Sequence, residues 1–157
     1  MGENYTKIFL DLAKSKNYRI QTPSFQQKKN NIDYILEGQI NGSPVSVSVD
    51  LKRKNKKDSN NWVYIEFQNS KGGKGWIDGL ADFIVFETSN SFIWVPRKPL
   101  KNFLNSSSSV RWDLPFVDKP WLSKYRLFRR KNTLETITQI NVKDLMNIKN
   151  TKVWQKH

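Results

Sequence analysis

The sequence predicts an α+β protein with a mixed, mostly antiparallel central sheet flanked by helices, and three observations predict it. An amphipathic helical stretch opens the chain. The hydrophobic pattern then changes to strict alternation, and an Asn41-Gly42 pair sits between two alternating runs. At 157 residues the chain has the length of about one domain, enough to bury a core without a disulfide or metal staple. It is read as one domain over 1–157.

Each element follows in order. Tyr5 to Lys16 places Ile8, Phe9, Leu12 and Ala13 at helical spacing, so one amphipathic helix is expected. Pro23 and the polar run 26–31 read as a connector. Ile32 to Ile40 and Pro44 to Lys52 alternate as strands around Asn41-Gly42, the strongest short hairpin signal. A basic loop leads to a third strand, Trp62 to Asn69. The glycine-rich Lys71-Gly72-Gly73-Lys74-Gly75 opens onto a turn or short helix at Trp76 to Leu80. Asp82 to Glu87 and Ser91 to Val95 read as two further strands. Leu100 to Leu104 suggests a short helix, Tyr125 to Arg130 and Glu135 to Ile140 a late hairpin, and Val142 to Ile148 a terminal helix. No internal repeat is present.

Charge narrows the partner. Twenty-seven Lys and Arg against fourteen Asp and Glu give a formal net charge of +13 at pH 7. So large an excess of one sign points to a polyanion, because each cation that neutralises a phosphate releases a condensed counterion. No basic amphipathic helix stands out, so nucleic acid is expected rather than a membrane. The expected contacts are Arg53, Lys54, Lys56 and Lys57 in the basic loop, Lys71 and Lys74 in the glycine-rich turn, and Arg126, Arg129, Arg130 and Lys131. Cysteine is absent, which excludes thiol chemistry and fits an intracellular protein. The N-terminus has no apolar run that reads as a signal peptide or a membrane span.

The first hairpin carries the chemistry. With Asn41 and Gly42 as the central residues of a type I′ turn, Leu36 faces Val47, Tyr34 faces Val49 and Asp33 faces Asp50. Alternation puts Leu36, Val47, Tyr34 and Val49 on a core face, and Asp33, Ile35, Glu37, Ser46, Ser48, Asp50 and Lys52 on the other. Carboxylates directly opposite one another have Cβ atoms roughly 4.5–5.5 Å apart and repel. A divalent cation, Mg²⁺ for oxygen ligands, would compensate, and Lys52 shares that face. Metal, paired carboxylates and a lysine together suit phosphodiester hydrolysis. The bland reading is a pair of solvated strand-end aspartates.

Asp33, the hairpin, and Asp50-Leu51-Lys52 resemble the PD-(D/E)xK motif of restriction endonucleases and Holliday-junction resolvases. More loosely, 62–87 (WVYIEFQNSKGGKGWIDGLADFIVFE) is similar to intron-encoded homing endonucleases built on that fold. The resemblance implies double-stranded DNA as the partner and a restriction-endonuclease-like core that makes double-strand breaks with Mg²⁺, with Asp33 and Asp50 as metal ligands and Lys52 as a catalytic residue. It also implies an acidic residue from the preceding helix: Asp11 is the choice, with Glu3 the weaker one. Ile32 stands where the family usually has Pro. A competing assignment takes Asp50 with Glu66 and Gln68 of the third strand, so Gln68 is a further candidate. A homo-oligomer, dimer or tetramer, is implied, with no small-molecule cofactor.

Other chemistries fail on missing residues. The one histidine is His157, which excludes histidine-dependent ββα-metal nucleases. Lys71 to Trp76 lacks P-loop spacing, and no Gly-x-Ser-x-Gly elbow occurs. Core packing is the default for the six tryptophans, although Trp112, Trp121 and Trp154 could anchor an oligomer or touch DNA; Val110 to Leu122 and the C-terminal region are the candidate contacts. The alternative function is a non-catalytic basic DNA- or RNA-binding protein.

Overall fold

The computed structural model describes residues 4–55 and 60–157. In chain order the elements are α1 (Tyr5–Ser15), β1 (Arg19–Gln21), α2 (Phe25–Lys29), β2 (Tyr34–Ile40), β3 (Ser43–Lys52), β4 (Trp62–Gln68), β5 (Phe83–Glu87), β6 (Ser91–Pro96), α3 (Arg97–Leu104), β7 (Phe128–Arg129), β8 (Thr136–Asn141), α4 (Val142–Met146) and β9 (Lys152–Gln155). Single 3-10 turns lie at Trp76–Asp78 and Pro120–Leu122. The fold is α+β, with a central sheet flanked by helices.

Six strands form the larger sheet in the order β1-β2-β3-β5-β6-β9, and three form the smaller one, β4-β8-β7. Among the described residues the named strands all pair antiparallel except β3 with β5, which run parallel. The expected hairpin register holds along the whole of β2, from Ile40↔Ser43 to Tyr34↔Val49. Asn41 and Gly42 both have positive φ, 51° and 80°, as a type I′ turn requires.

Two apolar clusters cover the two faces of the larger sheet. On one face α1 lays Phe9 and Ala13 against Leu36, Val49, Val85, Trp94 and Trp154. On the other, Ile84, Phe86, Ile93 and Val95 pack with Val63 and Ile65 of β4, Ile140 of β8, and Leu100 and Leu145 of α3 and α4. Asp50 and Lys52 lie opposite Ile84 and Phe86 in the parallel register, and therefore emerge on this second, covered face.

Several expectations change. The connector at 26–31 contains α2, closed by a capping box in which Ser24 Oγ accepts from Gln27 N–H and Gln27 Oε1 accepts from Ser24 N–H. The late hairpin shrinks to Phe128–Arg129 against β8, because Tyr125 takes a positive φ of 55° and breaks the extended run. The terminal helix is followed by β9, which completes the edge of the larger sheet. Trp154 of β9 is 7% exposed and stacks on Phe9 with ring centroids 5.7 Å apart, so it is core and no surface anchor. Among the described residues no helix is long and apolar enough to cross a membrane.

Candidate functional site

The hairpin ladder stops one residue short of the two aspartates. Asn31 has φ 64°, which turns the chain just ahead of β2, and Asp33 then leaves the strict register. Its N–H donates to the Val49 carbonyl at 2.8 Å, and its carboxylate Oδ2 accepts the Leu51 N–H at 2.7 Å. The expected face-to-face pair is thus replaced by a carboxylate folded over the end of β3. Asp33 is exposed, whereas Asp50 is 2% exposed.

Asp50 combines deep burial with an unsatisfied oxygen. Its Oδ1 lies 3.0 Å from the Lys52 ammonium, and its Oδ2 is buried with no hydrogen-bond donor. Burial drives its pKa from 3.8 up to about 7; Lys52 opposes the rise, and the neighbouring Asp33 carboxylate adds to it. Among the described residues no group of the chain donates to Oδ2. Lys52 is held from the far side by Trp76, whose ring centroid is 4.5 Å from the ammonium.

These groups open into a cleft of about 580 Å³ lined by Tyr5 and Thr6 of α1, Lys28 of α2, Asn31, Asp33, Tyr34, Asp50 and Lys52. Burial first, and then the Asp33 charge, raise the Tyr34 hydroxyl above its ordinary value. Lys28 was missed by sequence reasoning because α2 was; the Ser24-x-x-Gln27 box was the signal available.

Against family models, curated proteins and solved structures, the chain has no match. The site is therefore argued from its own geometry.

The structure brings Asp33, Asp50 and Lys52 together and leaves Asp11 outside. Asp11 sits on the solvent face of α1, ion-paired with Lys7 at 2.7 Å, and does not line the cleft. Helical geometry explains this: Tyr5 and Thr6, a turn or more earlier, are the residues α1 presents to the cleft. Glu3 lies outside the described residues. Gln68 is committed elsewhere: its Nε2 donates to the Gly72 carbonyl at 2.9 Å, bracing the glycine-rich turn. Glu66 is raised in pKa by burial and by the Glu135 charge, with Lys52 opposing, and it lines neither the cleft nor its neighbour.

The expected DNA contacts divide. Arg53, Lys54, Lys71, Lys74, Arg129, Arg130 and Lys131 are exposed. Arg126 is half-buried and donates to the Pro115 carbonyl at 2.8 Å, tying down the 111–117 loop. Arg129 packs over Phe116 at 4.9 Å, and Arg130 meets Glu135 at 3.5 Å. Lys56 and Lys57 lie outside the described residues.

The donor set fits magnesium. Mg²⁺ commonly takes one or two carboxylates and completes its shell with water and substrate phosphate oxygens. Asp33 and Asp50 supply that number, and the donorless Oδ2 is a lone pair that a cation would satisfy. Among the described residues no group of three acidic or histidine side chains converges.

Proposed function

We propose that this protein is a metal-dependent DNA endonuclease with a restriction-endonuclease-like core. The observation that carries the proposal is the buried, donorless Oδ2 of Asp50, set between Asp33 and Lys52 in a cleft open to solvent. An acid at the head of one hairpin strand and Asp-x-Lys at the end of the other supports the same reading.

Asp33 and Asp50 would hold the cation, which when bound would polarise the phosphate and make a nucleophile available at neutral pH. The chain's own residues do the rest. The Leu51 N–H fixes the Asp33 carboxylate toward the cleft. The Lys52 ammonium, braced by Trp76, stands where charge develops on the phosphate oxygens. Lys28, which also lines the cleft, pairs with a neighbouring phosphate of the same strand.

The substrate is double-stranded DNA, steered in by the excess positive charge. One such site cuts one strand, so a double-strand break calls for a homo-oligomer with two-fold symmetry, a dimer or tetramer. A purely DNA- or RNA-binding role would account for the charge but leaves the Asp50 arrangement without a reason.

Incubating pooled genomic DNA with the protein tests the reading. Strand breaks in Mg²⁺ that vanish in EDTA are expected; unbroken DNA at every divalent metal tried would sink it.

A further inference from the structure

We propose that a second cleft takes a single unstacked nucleobase of the strand being cut, so that the preferred substrate carries an unpaired nucleotide beside the scissile phosphate. This rests on the nuclease reading above and deepens it.

The cleft has a volume of about 130 Å³, and Trp62, Tyr64, Trp76, Lys52 and Lys54 contribute to its walls. Lys52 lines both clefts, so whatever enters the slot is next to a phosphate held at Asp50. The slot has the size of one planar heterocycle.

Its walls are pre-formed. Trp62 and Tyr64 project from the same face of β4 and are half-buried, as is Trp76, while Phe86, which also lines the slot, is buried. Trp62 is fixed edge-on by Tyr125, centroids 5.8 Å apart, with the Lys124 ammonium 4.8 Å from its ring. Trp76 is fixed by Phe86 at 6.0 Å and by Lys52. The glycine-rich turn exists to deliver Trp76: a Cβ on Gly75 would lie 2.2 Å from the Glu66 carbonyl oxygen, so only glycine lets the turn close onto β4.

Glu87 also lines the slot, but both its oxygens are engaged, by Lys54 N–H and by Lys156. Its charge is therefore compensated within the chain. Half-covered aromatic rings among lysines are the composition that stacks bases along a charged backbone. A base inside a duplex presents only its edges, so the occupant must leave the stack.

The test compares two duplexes in EDTA, one with a single bulged nucleotide and one with an abasic residue at the same bulge. Fluorescence anisotropy is expected to give about tenfold tighter binding of the base-bearing bulge, the range expected for one base on an aromatic wall. Trp62→Ala and Tyr64→Ala should erase the difference, and Tyr64→Phe should keep it. The wild-type comparison needs no variant to fold. Equal affinity for the two bulges, from a protein that still cuts paired DNA in Mg²⁺, overturns the slot and leaves the nuclease reading standing. No DNA binding at all removes both. A nucleoside monophosphate that competes as well as the bulged duplex also overturns the proposal, because the slot would then serve a free nucleotide.

Discussion

Two carboxylates are buried in the larger sheet, each beside a lysine, Asp50 with Lys52 and Glu87 with Lys156, and the two pairs differ in completeness. Glu87 and Lys156 are each 5% exposed and 2.9 Å apart, and the second Glu87 oxygen accepts the Lys54 N–H at 3.0 Å. Every lone pair that matters there has a donor. Asp50 is as deeply buried and its lysine is as close, yet one of its oxygens has none, and a second carboxylate stands beside it. Burial and ion pairing alone therefore do not set Asp50 apart. Its unsatisfied buried oxygen facing an open cleft does, and the proposed function gives that oxygen a reason, since native structures rarely leave one without cause.

The largest expected effect separates the two pairs by chemistry. Asp50→Asn, Asp33→Asn and Lys52→Ala should each lower the cleavage rate by at least about a hundredfold while keeping DNA binding. Glu87→Gln should cleave at the wild-type rate. A Glu87 variant as dead as the Asp50 variant would collapse the distinction.

Stability should separate them the other way. Lys156→Met leaves Glu87 buried and unpaired, at a cost of about 3–5 kcal/mol in urea denaturation. Asp50 already carries such a penalty. Its pKa is higher folded than unfolded, so its contribution to stability is fully present below 3.8 and is lost as pH rises through about 7. The rise corresponds to roughly 4 kcal/mol. Metal-free wild type should thus lose stability across that window relative to Asp50→Asn, and saturating Mg²⁺ should restore it at pH 8. Parallel pH curves for the two proteins would contradict the assignment.

The smallest effect concerns the exposed cations. Neutralising Arg53 or Lys71, where they touch phosphate, should flatten the salt dependence of log affinity by about one unit. Arg126→Gln should leave the slope unchanged, since that guanidinium is turned to Pro115.

The hairpin was legible because its determinants are local: Asn41-Gly42 sets the turn, and alternation sets the faces. The register could be read, but not the turn at Asn31 that lifts Asp33 out of it, nor the burial of Asp50. That burial depends on the parallel pairing of β3 with β5 and on the smaller sheet packing over it, contacts far apart in sequence. Three elements escaped for want of pattern. Arg19–Gln21 and Lys152–Gln155 are too short to alternate visibly, and α2 has one large apolar residue, the exposed Phe25. Asp11 was chosen for its place in a helix, but the angular position that decides it was fixed by which side of α1 packs on the sheet.

Magnesium titration calorimetry tests the contrast between the two pairs most directly. Wild type should bind Mg²⁺ at pH 8, more weakly below pH 7, and at pH 6 should release about one proton as the ion displaces it from Asp50. Glu87→Gln should behave like wild type, and Asp50→Asn should not bind. Equal binding by Asp50→Asn, with no proton released by the wild type, would contradict the account.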